Sequence, residues 1–402
     1  MSLAPVQTPC RACGERRLQL FLDLGAMPLA GGFLQGAEAI RAERAYPLRT
    51  FVCESCALVQ IVDVIAPDIL FQDYSFSSST VAALVDHFGA YANWLADRFA
   101  PKRVVEFGCN DGVLLEPLAA LGVDAWGVDV SKNITEIARS KGLQVFTGFF
   151  DELTAGDIRE QVGVADVVTG SNAFAHNEDP VKILDATKIV LAPDGHLCLE
   201  VMYAGDLLEL TQWDTLYHEH LTFYSLATLR TLLERHGFHP VHAERIPMHG
   251  GSLRVAAALA PAEPSDELRA IEEYERSGAL NNPATWVDFG ARVGRKIEIV
   301  REVFDVLHRE RRIWGYGAAG KATMWVNACG MDYLEAMVDA SPLRSGKLMP
   351  GTHTPIVPPD AMRKNPPDIV FVTAWNYADG IRSNESWYEG TWATPLPDLR
   401  FF

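Results

Sequence analysis

Arg103-Val104-Val105-Glu106-Phe107-Gly108-Cys109-Asn110-Asp111-Gly112 decides how the chain is read. A short apolar run with β-branched residues enters a glycine-bearing turn, the pattern of a buried strand rather than of a helix. A helix is expected over residues 113–121. A second strand follows, Ala125-Trp126-Gly127-Val128-Asp129, ending in an acid. Strand, tight turn, helix and acid-tipped strand make the frame that holds an adenosine moiety at the carboxyl ends of parallel strands. Upstream, residues 81–98 have helical spacing, with Leu84, Phe88, Tyr91, Trp94 and Leu95 on one stripe. Downstream, residues 144–146, 165–170 and 196–201 read as further strands. The fold class that follows is α/β with a Rossmann-like middle.

The chemistry of the turn selects its ligand. A dinucleotide site favours G-x-G-x-x-G, so that the backbone can approach a pyrophosphate. Here Glu106, Asn110 and Asp111 accompany Gly108 and Gly112, and two carboxylates would repel a pyrophosphate. They suit a cationic cofactor bearing an ammonium group, such as S-adenosylmethionine, with Asp129 accepting the ribose hydroxyls. An ordinary α/β turn is the competing reading. After the fourth strand, Ser171-Asn172-Ala173-Phe174-Ala175-His176 reaches the rim where such sheets bind ligands. Asn172 is assigned to the cofactor there, and His176 either faces the ligand from that rim or is a surface residue. Phe71-Gln72-Asp73-Tyr74-Ser75-Phe76-Ser77-Ser78-Ser79 is polar and aromatic. A linker has the same composition; if the segment lines a site, Tyr74 and Ser78 are its cofactor-facing residues.

On the same rim, just beyond the next strand, lies Trp213-Asp214-Thr215-Leu216-Tyr217-His218-Glu219-His220-Leu221-Thr222-Phe223-Tyr224-Ser225. As a strand it would put Tyr217, Glu219 and Leu221 on one face and His218 and His220 on the other. As an irregular segment it would turn its polar groups onto one substrate. A satisfied polar network at a domain seam is the alternative.

At the N-terminus, Cys10-Arg11-Ala12-Cys13 and Cys53-Glu54-Ser55-Cys56 form two C-x-x-C knuckles. Each offers two thiolates to one face of a tetrahedral ion, and together Cys10, Cys13, Cys53 and Cys56 make a four-cysteine zinc site. The stretch between them, residues 14–52, is about twice the usual spacing, and that doubling costs only about 0.6 kcal/mol. Zinc sites of this kind contribute on the order of 10 kcal/mol, so the long loop is no obstacle. Four thiolates leave no open position, which makes the zinc structural. A redox C-x-x-C or unrelated thiols are the other possibilities. Residues 47–52 and 57–62 read as strands flanking the second knuckle, and Cys109, Cys198 and Cys329 as buried small hydrophobes.

In the last third, residues 291–310 form an amphipathic helix, followed by Arg312-Ile313-Trp314-Gly315-Tyr316-Gly317-Ala318-Ala319-Gly320-Lys321-Ala322-Thr323. This strand, glycine-rich turn and helix start suit phosphate, through small residues, free N–H groups and Lys321. Residues 336–339 and 369–373 continue the sheet. A nucleotide diphosphate is expected near Gly317, Lys321 and Asn376, and His249, in His249-Gly250-Gly251 at the junction of the two nucleotide-type units, is expected to face the substrate. A degenerate Rossmann-like lid is the alternative.

Composition bounds the rest. The 402 residues exceed one core, and 48% hydrophobic with 22% charged residues is ordinary for a globular protein. A net charge of -17 argues against nucleic acid as a partner. No apolar run reaches the roughly 18 to 20 residues of a membrane span, and no leader pattern opens the chain. A cytoplasmic location is expected, with no membrane partner, as a monomer or weak homodimer.

Taken together, the paired knuckles, Glu106-Phe107-Gly108-Cys109-Asn110-Asp111-Gly112, Tyr217-His218-Glu219-His220 and His249-Gly250-Gly251-Ser252-Leu253-Arg254 occur in that order. With Gly315-Tyr316-Gly317-Ala318-Ala319-Gly320-Lys321 and Ala374-Trp375-Asn376, nearly the whole chain resembles the nucleotide-sugar C-methyltransferases of deoxysugar and antibiotic biosynthesis. The resemblance implies a zinc-binding domain (1–75), an S-adenosylmethionine-binding class I methyltransferase domain (76–250) and a Rossmann-like nucleotide-sugar domain (251–402). It implies methylation next to the keto group, at C3, of a dTDP-linked 4-keto-deoxysugar. By the same resemblance the base is His220, with Tyr217, Glu219 and His176 beside it, while His218 varies in the family and is left out of the chemistry. Phe76 stands where relatives often have Tyr, and Ala322-Thr323 where they often have Gly-Asn or Ser-Ala. An unaided imidazole is too weak to deprotonate carbon, so donors such as Tyr217 and His176 are expected at the enolate or sugar oxygens, with Glu219 holding the imidazole. Methyl transfer to oxygen, nitrogen or a non-sugar carbon acid, or an idle zinc protein that binds nucleotide sugars, are the competing functions.

Overall fold

The computed structural model describes residues 8–71 and 77–402, so Tyr74 and Phe76 lie outside the described residues. Three sheets organise the described residues. In the middle sheet, numbered along the chain, the strand order is 3-2-1-4-5-7-6. Arg103–Phe107 lies at its centre, between Asp124–Asp129 and Ala165–Ser171. The first five strands pair in parallel, and Ser252–Ala258 inserts antiparallel between Leu191–Met202 and His239–Ile246. The expected boundary at residue 250 therefore falls inside a hairpin, and the middle sheet runs on to Ala258.

Successive residues on the central strands face opposite layers, which is why the strands read as continuous apolar runs. Val104, Val167 and Cys198 pack under helix Ala82–Phe99 with Leu84, Phe88, Tyr91 and Leu95. Their neighbours Val105, Val168, Leu197 and Leu199 pack on the other face, in one core with Ala155, Ile158, Ile183 and Leu184 of helices Glu152–Gln161 and Pro180–Val190. Fully burying each such aliphatic side chain contributes about 1.5–3 kcal/mol.

The C-terminal sheet has the order 3-2-1-4-5-6, parallel except for its last strand, Arg400–Phe401. Both sheets thus reverse direction between their first and fourth strands, the switch point where open α/β sheets take ligands. Each switch is closed in the same way. After Arg103–Phe107, Gly108 has φ +67, and a Cβ there would lie 2.3 Å from Cβ of Ala173. After Ile313–Tyr316, Gly317 has φ +96, and a Cβ there would lie 2.6 Å from Cβ of Ala374. Only glycine satisfies both the left-handed backbone and the close approach.

The N-terminal sheet joins Leu18–Pro28, Ala45–Cys53 and Val59–Ile61 to a fourth strand from far along the chain, Thr222–Phe223. The histidine-rich segment is therefore stitched to the cysteine-bearing unit. Its preceding residues are irregular, with a 3-10 turn at Trp213–Thr215 and bends through His220. Helix Pro283–Leu307 packs on the same unit through Trp286 and Phe289 around Phe21.

Candidate active site between two Rossmann-like units

The four cysteine sulfurs at the N-terminus lie within 4.8 Å of one another, with Cys10 to Cys56 at 3.5 Å and Cys13 to Cys53 at 3.6 Å. Tetrahedral zinc with Zn–S near 2.3 Å sets sulfurs about 3.8 Å apart, so the donors fit zinc in type, number and spacing. Arg11, inside the first knuckle, ties this clip to the middle unit. Its guanidinium donates to the carbonyls of Ile61 (2.8 Å), Leu221 (3.4 Å) and Glu178 (3.0 Å). Cys109, Cys198 and Cys329 are buried, as their apolar settings suggest.

A cavity of about 220 Å³ opens at the middle sheet's switch point. Gly108, Asn110, Asp129, Asn172 and Ser78 are in its wall, with Phe149 alongside. The turn is preshaped: Asp129 accepts from the backbone N–H of Asn110 (3.0 Å) and Ser131 (2.9 Å), and the Ser78 N–H donates to Asn110 Oδ1 (2.9 Å). Glu106, Asp111 and Gly112 stand behind that wall. Asp111 is fully buried and accepts from the hydroxyls of Ser77 (2.5 Å) and Ser79, with Lys141 nearby at 3.8 Å. Glu106 is buried with Oε2 unbonded, and burial first, then the neighbouring Asp129, holds its carboxyl well above the usual range. An unsatisfied carboxyl just beneath the cavity, with carboxylate and amide groups in its wall, fits S-adenosylmethionine, a cofactor with hydroxyls and positive charge.

A second cavity, of about 600 Å³, lies between the middle and C-terminal switch points. It shares Leu84, Asn172, His176 and His249 with the first, so those residues mark where the two meet. Tyr217, Glu219 and His220 line it, as do Gly317, Lys321 and Asn376. All eight residues assigned from the sequence to catalysis or substrate therefore border one space.

Local hydrogen bonds explain the convergence. The Leu221 N–H donates to the Ala175 carbonyl (2.9 Å), which draws the neighbouring His176 and His220 rings to a stacked separation of 5.1 Å. Tyr217 packs on the other side of His220 at 3.9 Å. The ring of Tyr217 also occupies the space beside Gly320, where a Cβ would come within 2.9 Å of it. His220 Nδ1 lies 2.7 Å from the Thr215 carbonyl. A carbonyl only accepts, so Nδ1 carries the proton and Nε2 is the basic nitrogen. The Thr215 carbonyl thus orients the imidazole through Nδ1. Glu219 lines the cavity, against Gly31 of the N-terminal unit. His218 is buried, bonding the carbonyls of Pro47 (3.1 Å) and Tyr46 (3.3 Å), a structural anchor.

Electrostatics keep this cluster neutral. Burial, reinforced by the surrounding cations and imidazoles, holds His220 well below the usual imidazole value. Burial pushes His176 and His249 down to about 4. Tyr217 is held well above 10 by burial and then by Glu219.

Three contributors escaped the sequence reading. Asp214 is fully buried, and its Oδ2 accepts from the indoles of Trp325 (2.9 Å) and Trp375 (2.8 Å), clamping the C-terminal unit to the histidine segment. Two tryptophans in that unit gave no hint of their common acceptor. The Thr215 role rests on a backbone carbonyl, which no side-chain pattern encodes. Arg344 lines the cavity and pairs with Asp339 at 3.1 Å. Its position after Met337–Val338, at a strand's carboxyl end, was the available signal.

Residues 10–71 match the family described as "Putative zinc binding domain", residues 79–243 "Methyltransferase domain", and residues 247–397 "C-methyltransferase C-terminal domain". The chain is similar to the C-methyltransferase NovU of Streptomyces niveus, 33% identical over 97% of this chain and 96% of that protein. A ubiquinone biosynthesis O-methyltransferase of Acinetobacter baylyi is 31% identical over 26% of this chain and 47% of its own length. Among solved structures, the CcbJ methyltransferase of Streptomyces caelestis matches with a TM-score of 0.34 and 19% identity, over 43% of this chain and 90% of that one.

Proposed function

The chain belongs to the C-methyltransferase family, and on that premise we propose that it methylates the carbon next to the keto group of a nucleotide-linked 4-keto-deoxysugar, at C3 of a dTDP sugar. The observation that carries this reading is His220: a neutral imidazole with Nδ1 tied to Thr215 and Nε2 left basic, in a cavity that meets the cofactor cavity at His176 and His249. A neutral base of this kind serves proton removal from carbon or from a hydroxyl; the match to a C-methyltransferase C-terminal domain over residues 247–397 supports carbon as its target.

S-adenosylmethionine supplies an electrophilic methyl group, held by Asn110, Asp129 and Asn172, with zinc confined to the cysteine clip. The sugar lies against His220, Tyr217 and His176, and its nucleotide diphosphate extends along the C-terminal wall, by Gly317, Asn376 and Arg344. His220 Nε2 takes the proton from the carbon beside the ketone. Burial makes that imidazole a weaker base than one in water, so the developing oxyanion must be stabilised by fixed donors, each contributing roughly 3 to 4 kcal/mol. Tyr217, still protonated because its pKa is raised, is one such donor. The enclosed site works in the cytoplasm, where reduced thiolates persist.

Incubation with S-adenosylmethionine and a panel of dTDP-4-keto-deoxysugars tests the reading. A product heavier by one methylene, with its new carbon–carbon bond at C3 by NMR, is expected. A methyl appearing on oxygen or nitrogen would overturn the assignment.

A further inference from the structure

Among the described residues, two cations line the substrate cavity, and they differ in their company. Arg344 is ion-paired to Asp339 and sits over the Phe33 ring at 5.5 Å. Among the described residues, no carboxylate lies within ion-pairing distance of Lys321. Its Nζ donates to the His249 carbonyl at 3.5 Å and stands 4.7 Å from the Trp375 ring centroid. His249 belongs to the shared wall of the two cavities, so this ammonium lies at the methyl-transfer end. The preceding residue, Gly320, is packed against Tyr217, whose ring centroid lies 3.9 Å from that of His220. The charge of Lys321 is felt at both His220 and His249.

Asp214 is the electrostatic counter-charge of Lys321 from beyond ion-pair distance, which leaves the half-buried ammonium open to an anion from the ligand. Phosphate is the assignment its glycine-rich turn suggests. Its neighbours indicate otherwise, because the anion that arises next to His220 is the enolate oxygen. Resting on the function proposed above, we propose that Lys321 is a catalytic residue whose ammonium stabilises the enolate oxygen, and that Arg344 serves the diphosphate. In the step concerned, the C3 proton passes to His220 Nε2. The C–H electron pair becomes the C3–C4 double bond, and the carbonyl π pair moves onto the oxygen facing Lys321. Nothing is oxidised or reduced. The Asp214 carboxylate, clamped under the two indoles, opposes the loss of the lysine's proton that burial favours.

The test separates proton removal from nucleotide binding. Wild type, Lys321→Met, Lys321→Arg and Arg344→Met are placed in deuterated buffer with dTDP-4-keto-6-deoxyglucose, and deuterium entry at C3 is followed by mass spectrometry. dTDP affinity is measured by calorimetry on the same samples, which also shows that each variant is folded. Lys321→Met is expected to slow exchange by about 10²- to 10³-fold with dTDP affinity within a few-fold of wild type, and Lys321→Arg to recover part of the rate. Arg344→Met is expected to weaken dTDP binding at least tenfold. If Lys321→Met instead loses dTDP binding and exchanges at the wild-type rate when saturated, the lysine assignment is wrong while the C-methylation reading stands. If wild type itself exchanges no deuterium, both fall.

Discussion

At the scale of single residues the proposed chemistry depends on an imidazole held neutral. His220 has its Nδ1 proton fixed by the Thr215 carbonyl and its pKa depressed by burial. As pH falls, a base of this kind loses its lone pair only on passing its own lowered pKa. The acidic limb of kcat/KM is therefore expected below 6.5, the ordinary imidazole value. A limb at or above 6.5 in the pH–rate profile would exclude His220 as the base. Substitution His220→Ala should lower kcat by roughly 10²- to 10⁴-fold and leave S-adenosylmethionine affinity nearly unchanged, because the ring lines the substrate cavity rather than the cofactor cavity. Stopped turnover assays beside calorimetry resolve the two. The side chains of this site were legible in the sequence because they are polar and crowded. The carbonyl that sets the tautomer was not, since any residue at Thr215 would present one.

At the scale of elements, glycine and a buried acid do the joining. Gly108 and Gly317 let each first strand's turn touch the turn after the fourth, and both turns were readable from their sequence alone. Asp214 lies within the histidine-rich stretch, but its part depends on Trp325 and Trp375, both more than a hundred positions away, and such partners follow only from the fold. Asp214→Ala leaves two indole N–H groups without an acceptor, at about 1–3 kcal/mol for each one that stays buried. A melting temperature lowered by several degrees is expected, with a raised KM for the nucleotide sugar. An unchanged melting curve would show that the clamp carries no weight. The strand Ser252–Ala258 was missed for a related reason: its place between two distant strands comes from sheet order, which local spacing does not encode.

At the scale of the whole molecule, three units meet on one segment. Zinc-bearing cysteines hold Arg11, Arg11 holds the carbonyls of Ile61 and Leu221, and Leu221 follows His220 directly. The cysteine clip is thus linked through Arg11 and Leu221 to the proposed base. Cys53→Ser is expected to lose zinc by elemental analysis, unfold at a lower temperature and turn over more slowly at equal cofactor saturation. A zinc-free variant with wild-type stability would sever that link. The three-part order along the chain was legible in motifs, and so was a junction at His249-Gly250-Gly251, whereas the full wall of the cavity was not, because it is assembled from turns at the strand ends of two separate sheets. The central claim remains that this enclosed imidazole removes a proton from carbon. Its most direct measurement is deuterium entry next to the ketone of a dTDP-4-keto-deoxysugar without S-adenosylmethionine, comparing wild type with His220→Ala. Entry at C3 in wild type, slowed at least a hundredfold in the variant, is the predicted result; equal rates in the two proteins would contradict it.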